Sequence, residues 1–238
     1  MHGDEGLPLA PDGYRPVAVA ALLVALGWLG ATATSGATAW VLGSAAATLT
    51  VLALFLVYFF RDPSRTPPGG ADELVSPADG KVLIAEPSVE EKRFLGEAAT
   101  KVSIFMSPLD VHVNRAPVEG EVLEVHYNPG KYFAAFTEKA SLDNEQNAIV
   151  MRTGGGRKLV FIQIAGFLAR RIVCRVAPGD RCRRGDRVGM IKLGSRVDIF
   201  VPGAFNLRVK PGDRVTAGET ILGDLGGGDP PRRSGVTG

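Results

Sequence analysis

From Pro16 to Phe60 the chain runs 45 residues without one Asp, Glu, Lys or Arg. A membrane-crossing helix needs about 20 mostly apolar residues. The stretch holds two such segments, Pro16–Gly30 extended into Ala31–Thr34, and Ala37–Phe60, parted by the turn Thr34-Ser35-Gly36. Tyr58, Phe59 and Phe60 fall where an interfacial aromatic belt would lie, Arg61 and Arg65 follow, and Arg15 precedes the first segment. Positive residues at both outer ends predict a hydrophobic helical hairpin over residues 1–60, spanning or re-entrant, with both termini in the cytoplasm. Two other readings compete: a signal peptide ending at Ala31-Thr-Ala33 with one anchor behind it, and a pair of buried soluble helices. Asp4, Glu5 and the immediate second apolar run weigh against the signal peptide.

Beyond residue 60 the pattern changes. A Pro/Gly-rich linker, 61–72, leads into short alternating runs, which predict strands at Lys81–Ala85, Lys101–Met106, Gly120–Tyr127, Ala148–Arg152 and Lys158–Ala165. Others are predicted at Ile172–Val176, Arg187–Lys192, Arg196–Val201, Leu207–Val209 and Thr220–Leu222. Breakers such as Asn128-Pro-Gly130, Gly154-Gly-Gly156, Pro178-Gly-Asp180 and Pro211-Gly-Asp213 separate them. Many short, closely spaced strands predict a mainly β body over 73–225, an antiparallel sandwich or barrel. Val176-Ala-Pro-Gly-Asp-Arg-Cys182 returns 33 residues later as Val209-Lys-Pro-Gly-Asp-Arg-Val215, an echo that resembles the hairpins of biotinyl/lipoyl hammerhead sheets. The tail, 226–238, is too polar and too rich in Gly and Pro to predict a fold.

Composition narrows the function. Lys and Arg number 27 against 25 Asp and Glu, and that small balance argues against a nucleic-acid partner. Two cysteines, Cys174 and Cys182, make no disulfide scaffold, and three histidines offer no zinc-ligand spacing.

Four stretches could carry chemistry. Leu193-Gly194-Ser195 is a plain Gly-Ser turn, or the flank of an attachment lysine at Lys192, or a serine that attacks its own preceding carbonyl. Glycine suits the last role because it lets the peptide bend. Ser107-Pro-Leu-Asp-Val-His-Val-Asn-Arg115 gathers Asp110, His112, Asn114 and Arg115. Ser76-Pro-Ala-Asp-Gly-Lys81 is an acidic turn around Asp79, and Phe136-Thr-Glu-Lys-Ala-Ser-Leu-Asp-Asn-Glu145 is the fourth stretch. Each alone has a bland reading: Asp79-Gly80 as a hairpin turn, His112 as a core histidine.

In this order, with Phe60-Arg-Asp-Pro63 ahead of them and Leu193-Gly-Ser-Arg-Val-Asp198 at the end, they resemble the short form of the phosphatidylserine decarboxylase family. The resemblance covers roughly Phe59 to Leu225. It implies a proenzyme that cuts itself between Gly194 and Ser195, giving a β chain, 1–194, and a 44-residue α chain, 195–238. Ser195 would become a pyruvoyl group, the only cofactor, with no metal. His112 would take the serine proton, oriented by Asp79 as in a triad. Long-form relatives carry a second histidine three residues on, where this chain has Arg115. Turnover would form a Schiff base with phosphatidylserine and release CO2, leaving phosphatidylethanolamine. A phospholipid substrate would keep the enzyme at the cell membrane, catalytic domain on the cytoplasmic side, with Arg61, Arg65 and Arg196 as candidates for anionic headgroups. Assembly into a homo-oligomer stays open. The competing readings are a membrane-anchored hammerhead carrier modified at Lys192, and a structural β domain without catalysis.

Overall fold

The computed structural model describes residues 9–70, 72–130, 144–166, 171–192 and 195–226. They form two compact units, Met1–Ser64 and Arg65–Gly238.

The first unit is a helical hairpin, α1 (Pro11–Thr32) and α2 (Gly36–Phe59). Proline opens α1 because its missing N–H costs nothing in the first turn. Small residues bring the helices close: a Cβ added to Gly27 would lie 3.1 Å from that of Ala46. Trp28 Nε1 donates to Thr50 Oγ1 across the pair at 3.2 Å. Below the hairpin's open end, Ala10 N–H donates to Phe60 O and the Arg61 guanidinium lies 3.8 Å from the Tyr58 ring centre. At 22 and 24 residues both helices are long and apolar enough to cross a membrane. Leu22, Leu26, Leu29, Val41, Val51 and Leu54 are exposed, and Trp40 is 80% exposed. Little of either helix is buried within the chain, unlike the core helices of a soluble domain.

The second unit is mainly β, as the short alternating runs predict. Its strands are β1 (Glu73–Val75), β2 (Gly80–Glu91), β3 (Glu97–Met106), β4 (Val113–Arg115), β5 (Gly120–Asn128), β6 (Gln146–Thr153) and β7 (Lys158–Ala165). They continue with β8 (Ile172–Cys174), β9 (Arg181–Cys182), β10 (Arg187–Ile191), β11 (Ser195–Pro202), β12 (Phe205–Leu207), β13 (Arg214–Val215) and β14 (Ile221–Leu225). An eight-stranded antiparallel sheet, order β13-β2-β3-β11-β7-β6-β5-β9, curls into a half-barrel. Two three-stranded sheets, β1-β14-β12 and β4-β10-β8, contribute to the core on one of its faces.

The sequence echo has a structural meaning. Asp180 and Asp213 each cap their own Pro-Gly turn, Oδ2 accepting from Ala177 N–H at 2.8 Å and from Lys210 N–H at 3.0 Å. Gly179 and Gly212 take φ of +92° and +99°, where a side chain would be strained. The turns dock alike: Gly179 N–H donates to Val122 O and Gly212 N–H to Val82 O. The strands that follow, β9 and β13, close the two opposite edges of the large sheet.

Strand alternation divides the large sheet. Val102, Ile104 and Met106, Val197 and Ile199, and Phe161 and Ala165 share the main core. Phe200, Val160, Ile162, Ile164 and Ala148 form a second cluster on the other face, where Phe94 and Leu95 pack. Arg196 points to that other face and is 1% exposed. Its Nε lies 2.5 Å from Asp198 Oδ1, and its Nη2 lies 2.9 Å from Asp198 Oδ2 and 3.0 Å from Ser103 Oγ. The expected headgroup role of Arg196 is therefore corrected: its charge is spent inside the protein. Asp198→Ala leaves that cation buried without its carboxylate, at a cost of about 3–5 kcal/mol. A drop of about 10 °C in melting temperature is expected by circular dichroism, and an unchanged midpoint would refute the buried pair.

Candidate active site

Ser195 opens β11 and is fully buried. It pairs with Met106 at the end of β3 and with Ala165 at the end of β7, both in the main core, so its side chain faces that core. Ser195 Oγ donates to Met106 Sδ at 3.3 Å. A thioether is a weak acceptor, so this bond orients the hydroxyl without holding it firmly.

The chain leaving Met106 turns at once toward His112. Asp110 makes the turn: Oδ2 accepts from Ser107 N–H at 2.7 Å, and Arg214 Nη1 holds Oδ1 at 2.9 Å. His112 is fully buried, its Nδ1 2.9 Å from the backbone oxygen of Asp110. A carbonyl only accepts, so Nδ1 carries the proton and Nε2 presents its lone pair, the tautomer a base needs. The His112 carbonyl accepts from Ile191 N–H at 3.3 Å, at the end of β10. Met106 Sδ, which Ser195 Oγ meets, also accepts from Asn114 Nδ2 at 3.7 Å, so the strand that begins one residue after His112 reaches the same sulfur as the serine. That shared partner puts the histidine segment and the serine in one corner of the domain.

Asp79 sits in the turn between β1 and β2, where Ser76 Oγ donates to Ala78 O at 2.6 Å. A Cβ at Gly80 would collide with the Phe105 carbonyl, so only glycine lets this turn lie against β3. Asp79 Oδ1 accepts from Ala217 N–H at 2.7 Å, and Oδ2 lies 3.1 Å from Arg65 Nη2. Arg65 Nη1 lies 2.8 Å from Glu219 Oε2, so the guanidinium has two carboxylate partners inside the domain, which corrects its expected headgroup role. The turn meets β4 through Pro77 O, which accepts from Arg115 N–H at 2.9 Å. Arg115, standing where long-form relatives have histidine, is 3% exposed and donates from Nη1 to Gly185 O at 2.9 Å.

A buried amide chain escaped the sequence reading. Asn147 Nδ2 donates to Gln163 Oε1 at 2.8 Å, and Gln163 Nε2 to Asn114 Oδ1 at 2.9 Å. It pins β4, two residues after His112, to the large sheet. The signal was available: Gln163 is a lone polar side chain among the inward positions of Lys158–Ala165.

Gly194, Lys139 and most of the stretch from Phe136 to Glu145 lie outside the described residues. Burial and the nearby Asp186 and Asp180 carboxylates push the Cys182 thiol up to about 11, so it stays protonated and unreactive at neutral pH. Among the described residues no group of three His, Cys, Asp or Glu side chains could hold a metal.

The family model for phosphatidylserine decarboxylase matches residues 52–223. A phosphatidylserine decarboxylase proenzyme of Geobacter metallireducens is 43% identical over 218 residues, 92% of this chain and 97% of the relative. Proenzymes of the same name from Desulfotalea psychrophila and Chlorobaculum tepidum are 47% and 48% identical over 72% and 73% of this chain, and 79% of each relative. Hammerhead carrier and inert β domain both give way to this match. The chain belongs to the phosphatidylserine decarboxylase family and is an enzyme, a carboxy-lyase.

Proposed function

We propose that this protein is a self-processing, pyruvoyl-dependent enzyme that converts phosphatidylserine to phosphatidylethanolamine and CO2 through a Schiff base, with Ser195, His112 and Asp79 as its working residues. The observation that carries the reading is the single corner holding a buried serine at the head of β11 and a buried histidine whose Nδ1 is committed to a carbonyl.

His112 Nε2 takes the Ser195 hydroxyl proton, and Oγ attacks the Gly194 carbonyl carbon. The bond from that carbon to the Ser195 nitrogen breaks, the nitrogen takes up a proton, and an ester replaces the amide. Loss of the Ser195 α-proton then expels the Gly194 carboxylate with the Cβ–O electron pair. The dehydroalanine left behind tautomerises and takes up water, releasing ammonia. Asp79, its carboxylate fixed by Ala217 N–H and Arg65, is the acid assigned to steady the imidazolium that forms. Serine needs such a base because its hydroxyl is a weak nucleophile.

The residues present suit a pyruvoyl group: it would end the α chain at the head of β11, buried beside Met106 and Ala165. It supplies an electrophilic carbonyl for the substrate amine and a sink for the electron pair left by CO2. His112 then returns a proton to the carbon that lost CO2. After cleavage β11 stays hydrogen-bonded between β3 and β7, which keeps the α chain on the β chain.

The hairpin anchors the enzyme in the cell membrane, where its substrate resides, and the arginines flanking the two helices favour the cytoplasmic side for the catalytic domain. Deleting residues 1–58 is expected to give a more soluble protein that decarboxylates detergent-dispersed phosphatidylserine and loses activity on intact vesicles. Equal rates on vesicles with and without the hairpin would dismiss the anchor.

A further inference from the structure

We propose that Arg65 is a positioning residue of the self-processing site: by gripping Asp79 it makes docking of the segment after α2 a requirement for efficient cleavage at Ser195. The inference rests on Asp79 acting with His112, as proposed above.

Residues 65–70 carry two prolines, two glycines and no large apolar side chain, so burial alone would not order them. They are nevertheless pinned to the domain. Pro67 covers Gly185, where a Cβ would come within 2.5 Å of Pro67 Cγ. The Arg184 guanidinium donates to the carbonyls of Gly69, Gly70 and Glu73. At the head of the segment stands Arg65, six residues after the end of α2.

Arg65 bridges two turns. Nη2 reaches Asp79 in the 76–80 turn at 3.1 Å, and Nη1 reaches Glu219 in the 216–220 turn at 2.8 Å. Backbone bonds join the turns, Gly218 N–H to Ser76 O and Ser76 N–H to Thr220 O, each at 2.8 Å. The Arg65 and Asp79 side chains are 14% and 15% exposed, so this pair is poorly screened, unlike an open surface ion pair. A planar fork meeting two carboxylates fixes direction as well as charge. Asp79 Oδ1 is already held by Ala217 N–H, and Arg65 fixes the other oxygen and with it the plane of the carboxylate. The same turn reaches β4 through Pro77 O and Arg115 N–H, three residues beyond His112. A carboxylate free to turn would no longer present one fixed charge to that machinery.

The test follows self-cleavage of the full chain, synthesised in a cell-free system with detergent micelles and read as the two fragments on denaturing gels. Arg65→Met is expected to slow cleavage roughly ten- to a hundredfold, the scale of a small misplacement of a reacting group. Arg65→Lys is expected to restore most of the rate, since an ammonium still meets Asp79. In an Asp79→Asn background Arg65→Met is expected to slow cleavage no further, because its effect passes through that carboxylate. Melting temperatures of the Arg65 variants, measured in the Ser195→Ala background where no chain is cut, separate slow chemistry from failed folding. Wild-type cleavage by Arg65→Met overturns the inference. So does slowing that Lys fails to relieve and that adds in full to Asp79→Asn, the behaviour of a mere staple. Normal cleavage by Asp79→Asn would instead bring down the underlying role of Asp79, whereas slow Asp79→Asn with fast Arg65→Met brings down the role of Arg65 alone.

Discussion

Ser195→Ala is expected to remain one chain of 238 residues, whereas the wild type is expected to resolve into pieces of 194 and 44 residues. The substitution removes the hydroxyl proposed to attack the Gly194 carbonyl, and with it the oxygen whose departure from Cβ leads to the pyruvoyl group. Decarboxylation should therefore vanish together with cleavage, rather than fall in proportion to it. The fold should survive. Ser195 loses a single weak bond to Met106 Sδ, and β11 keeps its backbone pairing with β3 and β7. An intact mass and a denaturing gel read the first result, and release of labelled CO2 from serine-labelled phosphatidylserine reads the second. In the wild type the 44-residue piece should resist Edman degradation, because a pyruvoyl terminus has no amine, and should copurify with the larger piece until denaturant is added. A full-length wild-type chain that still decarboxylates its substrate would overturn the self-processing scheme.

Hydrophobic patterning made most of this architecture legible. An uncharged run of 45 residues can hardly be anything but paired apolar helices, and α1 and α2 fall on it, with α1 reaching back to Pro11. The ten runs read as strands meet β2, β3, β5, β6, β7, β8, β10, β11, β12 and β14. What escaped were β1, β4, β9 and β13, each of two or three residues, too short for alternation to show. β4 was doubly hidden. Val113-Asn114-Arg115 reads as a polar loop, yet all three residues are buried, because Asn114 bonds to Gln163 and Arg115 to the Gly185 carbonyl. Only a partner from a distant strand explains such a segment, and sequence spacing does not reveal distant partners.

The same limit applied to the charges. The sequence marks Arg65 and Arg196 as cations near a membrane or a serine, but what decides their roles is the carboxylate each one meets. Asp198 lies two residues from Arg196, on the same face of β11, whereas Asp79 and Glu219 come to Arg65 from turns 14 and 154 residues away. Motif order brought Ser195, His112 and Asp79 into one hypothesis. It gave no hint that the backbone carbonyl of Asp110, rather than the carboxylate of Asp79, would meet Nδ1 of the histidine ring.

That carbonyl makes His112→Ala the most informative substitution after Ser195→Ala. With Nδ1 committed as a donor at 2.9 Å, Nε2 is the ring's only basic atom, and burial keeps bulk water from replacing it. Loss of a general base typically costs about 10²–10⁴-fold, so His112→Ala should accumulate uncut chain, with any cleavage stretched over hours. Alanine also leaves the Asp110 carbonyl without its ring donor, so His112→Gln, a polar side chain without a basic nitrogen, serves as the control for packing. Both variants are expected to cleave slowly, and Asp79→Asn to cleave at an intermediate rate, since it weakens the support for the base but leaves the base in place. The fraction cut over time, followed on gels for the full chain in detergent, measures all three. Full cleavage by His112→Ala without decarboxylation would confine the histidine to protonating the product carbon, and another base would have to explain maturation. Normal cleavage together with normal decarboxylation would remove His112 from the mechanism.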